Sequence, residues 1–117
     1  MLSLHVDTAA WRSMLKSVAA ELPGLVPVAK GNGYGFGLDQ LAIETTLLGL
    51  DTIAVGTLAE VEPVLAASSF PQVIVLTPWH VGELDPVGPV GRTTTVLRTV
   101  ASMDGLRALE GHPVIIE

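Results

Sequence analysis

The chain contains no cysteine, which excludes disulfides, thiolate metal sites, iron–sulfur clusters and a cysteine nucleophile together. Positive charge is scarce as well: six Lys+Arg stand against twelve Asp+Glu, for a formal net charge of -6, and Lys16 and Lys30 are the only lysines. So little basic charge cannot form a stripe that neutralises a phosphate backbone, which argues against nucleic acid and against anionic membrane surfaces. Aromatic residues make up 4% of the chain, and Tyr34 is its single tyrosine. The longest stretch free of Asp, Glu, Lys and Arg, residues 63–82, is interrupted by Pro63, Pro71 and Pro78, so it reads as turns around a strand and not as a membrane span. At the N-terminus, Asp7 appears before any apolar region develops, unlike a signal peptide, and a cytoplasmic location is the expectation. His5, His80 and His112 are scattered without a carboxylate at ligand spacing, so no metal site is expected.

What remains is an apolar chain. Hydrophobic residues are 49% and charged residues 15% of the 117, too apolar for disorder and suited to a packed core of one domain or less. Apolar periodicity alternates between helix-like and strand-like segments. Asp7 or Thr8 can cap a helix whose apolar face is Trp11, Met14, Leu15, Val18 and Leu22, with Trp11 in the core, and Leu22-Pro23-Gly24 stops it. Residues 25–29 read as a buried strand. After a glycine-rich loop, Asp39 or its neighbour opens a second helix with Leu41, Ala42, Thr45 and Leu48 inward, closed by Gly49. Residues 51–56 form the next strand, and Thr57 with Glu60 makes a capping box for a helix that Pro63 shortens or bends. Strands are expected at 72–76, 94–97 and 112–117, with a short helix capped by Ser102 or Asp104 between the last two; Arg92 and Arg98 read as solvated.

Strands alternating with helices at this spacing predict parallel β/α units, in a doubly wound sheet or part of a (β/α)8 barrel. A complete barrel takes roughly 250 residues, so this length holds about half of one, and the chain reads as truncated. The uncovered edge and inner face of a half barrel predict self-association or poor solubility of the isolated chain.

Lys30 ends an apolar strand instead of lying on a helix surface. In parallel α/β folds the C-terminal strand ends and the loops after them form the active face. A partly desolvated lysine amine there is a candidate nucleophile toward a carbonyl carbon, the alternative being a side chain that snorkels to solvent. The following loop, Gly31-Asn32-Gly33-Tyr34-Gly35-Phe36-Gly37, places glycine at every second position. Phe36 and Leu38 fall where a dinucleotide fingerprint needs its third glycine, and Gly88-Pro89-Val90-Gly91-Arg92-Thr93 lacks the spacing and lysine of a P-loop. The loop is either a flexible connector or a ligand-binding element. Asn32 can cap the turn or serve the site, and Trp79 can pack its own loop or line a pocket.

The run Val28-Ala29-Lys30-Gly31-Asn32-Gly33-Tyr34-Gly35-Phe36-Gly37 resembles the cofactor-lysine motif of the alanine racemase family, usually Val-Lys-Ala-Asn-Ala-Tyr-Gly-His-Gly. Lys30, Asn32, Tyr34, Gly35 and Gly37 keep register, while Gly31 and Gly33 stand for the alanines and Phe36 for the histidine. Residues 4–8 resemble the family's entry segment and residues 50–60 its second barrel strand and helix. The similarity covers most of residues 4–77.

The resemblance implies a fold-type-III pyridoxal 5'-phosphate (PLP) enzyme with a TIM-type (β/α)8 barrel and a second β domain, of which residues 1–117 are the N-terminal part of the barrel, roughly its first half. Carried over, Lys30 forms the internal aldimine and acts as base on one face of the substrate α-carbon, Tyr34 bonds the cofactor phosphate, and Leu76 packs near the cofactor. The implied activity is an isomerase, an amino-acid racemase producing D-amino acids from a small amino-acid substrate, homodimeric in the full-length parent. The opposite-face acid/base is in this family a tyrosine of a partner's β domain, and since Tyr34 is already assigned no residue here takes that role, so the fragment alone is expected to be inactive. The alternatives are another fold-type-III enzyme (a decarboxylase, a D-amino-acid aldolase or a PLP carrier) and a noncatalytic half-barrel module.

Overall fold

In the computed structural model, residues 1–83 and 93–117 are described. Four parallel strands lie side by side in sequence order: β1 (Thr52–Val55), β2 (Gln72–Val75), β3 (Thr95–Val100) and β4 (Val114–Ile116). Helices α1 (Thr8–Glu21) and α2 (Leu38–Leu47) precede β1, α3 (Val61–Ala67) connects β1 to β2, and α4 (Met103–Ala108) connects β3 to β4. This is the α/β, parallel-sheet architecture expected of roughly the first half of a (β/α)8 barrel.

Residues 25–29 do not make a full strand. A single bridge joins Val28 to Ala54 beside β1, through Ala29 N–H to the Ala54 carbonyl at 2.8 Å and Ala54 N–H to the Pro27 carbonyl at 2.9 Å. Pro27 has no N–H with which to extend the pairing.

Side chains alternate across the sheet. Ile53, Val55, Val73, Val75 and Val96 face α2 and α3 and form the core with Ala42, Val61, Val64, Leu65 and Phe70. The opposite face carries Ala54, Ile74 and Leu97 in register, with Ile74 and Leu97 only half-buried. Parallel strands are normally covered on both faces, which is why they read as continuous apolar runs; here one face is covered by helices and the other is left partly open.

The caps at Asp7 and Ser102 form as expected: Asp7 Oδ1 accepts from Ala10 N–H and Ser102 Oγ from Gly105 N–H, each at 3.0 Å. The first helix departs from expectation, since none of its residues is buried and Met14, Val18 and Leu22 are exposed. Trp11 is half-buried, not core, and stacks on Phe36 with ring centroids 4.9 Å apart and planes 9° from parallel. Arg12 donates from Nε and Nη2 to the buried Glu44, at 2.8 Å for the shortest bond, and Gln40 Nε2 adds another at 2.8 Å. The Arg12 hydrogen bonds hold the Glu44 carboxyl below its ordinary range against the opposing effect of burial, and the same pairing raises Arg12.

β3 also runs longer than the 94–97 expected, because Arg98 is not solvated as the sequence suggested. It is 2% exposed, and its Nη2 lies 2.6 Å from Glu83 Oε2. A charge tolerates burial when it is paired, so a polar residue in a strand pattern need not end the strand. Burial pushes the Glu83 carboxyl up, but the Arg98 hydrogen bond and the His80 backbone N–H outweigh it and the net shift is downward. Arg92 and residues 88–92 of the stretch compared with a P-loop lie outside the described residues.

Candidate active site

The register of the sheet places Lys30. Val28 pairs with Ala54, Ala54 with Ile74, and Ile74 with Leu97. Two residues further along each chain stand Lys30, Gly56, Leu76 and Thr99, a row across the C-terminal end of the sheet on its open face. The ladder continues into this row, with Leu76 N–H donating to the Val55 carbonyl and Thr77 N–H to the Gly56 carbonyl, both at 2.9 Å. Lys30 and Leu76, both named by the family resemblance, stand in one row. Both are exposed, so Lys30 is not desolvated by this chain as the sequence reading supposed.

Gly56, between them, is a close approach. A Cβ there would lie 3.1 Å from the Lys30 Cβ and 3.4 Å from each Glu60 carboxylate oxygen. The absent side chain leaves room for Lys30 to leave the sheet.

The glycine-rich loop is closed by its own hydrogen bonds. Gly33 N–H donates to the Lys30 carbonyl at 3.0 Å, Phe36 N–H to the Gly33 carbonyl at 3.0 Å, and Gly37 N–H to the Asn32 carbonyl at 2.9 Å. Asn32 Oδ1 accepts from Gly35 N–H at 3.2 Å, so this side chain caps the turn. Tyr34 is exposed and has a φ of 56°, the only positive φ at a non-glycine among the described residues. Such a conformation costs a side-chain-bearing residue about 1–2 kcal/mol. Trp79 packs against α4, its ring Cε3 3.6 Å from where a Gly105 Cβ would stand, and its backbone N–H donates to the Thr99 carbonyl at 2.9 Å.

Glu60 is the residue whose place the sequence misread. The Thr57 side chain makes no cap bond, and residues Leu58–Glu60 form a short 3-10 turn ahead of α3. The Glu60 carboxylate accepts from Gly56 N–H at 3.0 Å and from Gly31 N–H at 3.3 Å. The Thr-x-x-Glu signal drew attention to Glu60, but spacing along one chain could not show that its second partner lies across the sheet beside Lys30. Among the described residues no group of three or more His, Asp or Glu side chains could hold a metal, and no helix is long and apolar enough to cross a membrane.

Comparison with known proteins agrees with this geometry. The structure of alanine racemase from Oenococcus oeni superposes with a TM-score of 0.65 at 24% sequence identity, covering 92% of this chain and 32% of that one. That similarity establishes a shared fold, and the chain spans about a third of that protein's length. No curated protein matches the sequence. The family described as "Alanine racemase, N-terminal domain" matches residues 6–116, nearly the whole chain. With its parallel β/α sheet and its lysine two residues past the Val28–Ala54 bridge, the chain belongs to the alanine racemase N-terminal domain family.

Proposed function

We propose that this chain supplies the lysine side of a PLP-dependent amino-acid racemase, with Lys30 as the point of cofactor attachment. The observation that carries the reading is the row Lys30–Gly56–Leu76–Thr99: an amine at a strand end, on the open sheet face, beside a position with no side chain. The residues present fit the cofactor. Lys30 would hold it by its primary amine, through a C=N linkage to the cofactor aldehyde with loss of water. When bound, PLP supplies an electron sink for the substrate α-carbon.

In this reading Lys30 holds the cofactor and then carries a proton at Nζ to and from one face of the substrate α-carbon. Tyr34, whose φ is positive, would bind the cofactor phosphate through its hydroxyl. Leu76 contributes apolar contact to the ring from the neighbouring strand end. The opposite face requires an acid/base from outside residues 1–117, so the chain alone is expected to bind but not to turn over. The assembled site acts on a small amino acid, within a cytoplasmic homodimer.

The test is direct because only two lysines compete. PLP is added, the C=N bond is reduced to a secondary amine with borohydride, and the modified lysine is mapped by mass spectrometry. Labelling of Lys30 in preference to Lys16, lost in Lys30→Ala, is the expected result. Equal labelling of both lysines, or none at Lys30, would overturn the proposal.

A further inference from the structure

Glu60 does something that its place in the sequence does not explain. It lies in the turn ahead of α3, yet its two carboxylate oxygens are spent on two separate strand-end loops: Oε2 on Gly56 N–H at 3.0 Å and Oε1 on Gly31 N–H at 3.3 Å. Gly31 directly follows Lys30, and Gly56 is its neighbour in the row. Bonds from backbone N–H to an ionised carboxylate are stronger than neutral ones, and here a single anion holds both loops. The same Glu60 oxygens and the Lys30 Cβ bound the space where a Gly56 side chain would go. The Lys30 backbone is therefore fixed on its sheet side by the Val28–Ala54 bridge and on its loop side by Glu60.

We propose that Glu60 is the positioning residue for Lys30: its carboxylate clips the peptide after Lys30 to the end of β1 and so sets the direction in which the amine is presented. The inference rests on the reading of Lys30 as the cofactor lysine. Glu60 touches neither cofactor nor substrate in this account and acts only through Lys30. A free strand end would let the amine sample many directions, and loss of orientation is costly for a reaction needing one attack geometry.

The experiment compares the wild-type chain with Glu60→Ala and Glu60→Gln in timed PLP labelling followed by borohydride, with Lys16 as internal reference. Amide hydrogen exchange at Gly31 and Gly56 is measured without PLP, and folding is checked by circular dichroism. In Glu60→Ala, Lys30 labelling falls by roughly tenfold while Lys16 is unchanged, and both glycine amides lose protection. Glu60→Gln, whose amide oxygen can still accept one of the two bonds, recovers part of the rate. It also decides the matter should Glu60→Ala fail to fold, since a Gln variant that is folded and labels at the wild-type rate would overturn the inference. A folded Glu60→Ala chain that labels Lys30 at the wild-type rate overturns it equally. Wild-type chain without preference for Lys30 instead brings down the cofactor reading, whereas intact preference with unchanged exchange at both glycines removes the role of Glu60 alone.

Discussion

The lysine loop offers two glycines where the family usually carries alanine, and the structure assigns them opposite tolerances. At Gly31, φ is 59° and nothing lies within 4 Å of an added Cβ. At Gly33, φ is 65° and a Cβ would stand 2.5 Å from both the carbonyl carbon and oxygen of Gly37 and 2.9 Å from the Leu38 nitrogen. These are backbone atoms, so no side-chain rotation relieves the contact. Gly31→Ala carries the left-handed cost of about 1–2 kcal/mol, offset by about 0.4–1 kcal/mol from the stiffer unfolded chain. Gly33→Ala carries the same terms and must also open the turn. That opening loosens the bonds from Phe36 N–H to the Gly33 carbonyl and from Gly37 N–H to the Asn32 carbonyl, each worth about 0.5–1.5 kcal/mol. The expected losses are thus about 0–1.6 kcal/mol for Gly31→Ala and about 1–3 kcal/mol more for Gly33→Ala. At about 4 °C per kcal/mol for a domain of this size, Gly31→Ala should melt within about 6 °C of wild type and Gly33→Ala about 4–12 °C below Gly31→Ala. Thermal melts followed by circular dichroism measure both. Equal melting temperatures for the two variants would refute the reasoning, because they would show that the loop in solution does not hold Gly33 against the Gly37 carbonyl.

Two further outcomes follow from contacts that tie the outer elements down. The Glu44 and Glu83 carboxyls are lowered from the ordinary 4.5 in the folded chain, so the stability they contribute is fully present above that value and is lost as pH falls through their lowered folded values. Melting temperature should therefore hold from neutrality to about pH 5 and drop below it, and the drop should be shallower in Glu44→Gln and Glu83→Gln; an equally steep acid limb in both variants would assign it to other groups. Phe36→Ala removes the stack on Trp11, worth about 0.5–1.5 kcal/mol beyond its buried area, and should loosen α1 and the lysine loop together. Faster amide exchange at Gly35 and Gly37 and a red-shifted tryptophan emission are the signatures, and unchanged exchange would show that the stack does not order the loop.

Much of this protein was legible in its sequence because the signals are local. The caps at Asp7 and Ser102 are short-range hydrogen bonds between neighbouring residues, and alternating β/α periodicity sufficed for a parallel sheet. The spacing of Lys30, Asn32 and Tyr34 in a glycine-rich loop carried the family resemblance, since the motif occupies a few consecutive positions. What needed the tertiary structure lies between segments far apart in the chain. Arg98 reads as a solvated charge until Glu83, 15 residues away, is seen beside it. Glu44, absent from the inward face read for the second helix, is buried and bonded to Arg12, 32 residues away. The apolar stripe of α1 promises burial that this chain does not provide, because burial depends on what stands opposite a face and not on the face itself. Lys30, Gly56 and Leu76 form a row only through strand register, and Glu60 reaches the peptide after Lys30 only because the fold brings β1 beside the Val28 bridge. Composition and local pattern determined the elements and marked the lysine; pairing across the sheet, which no linear spacing encodes, decided which residues surround it.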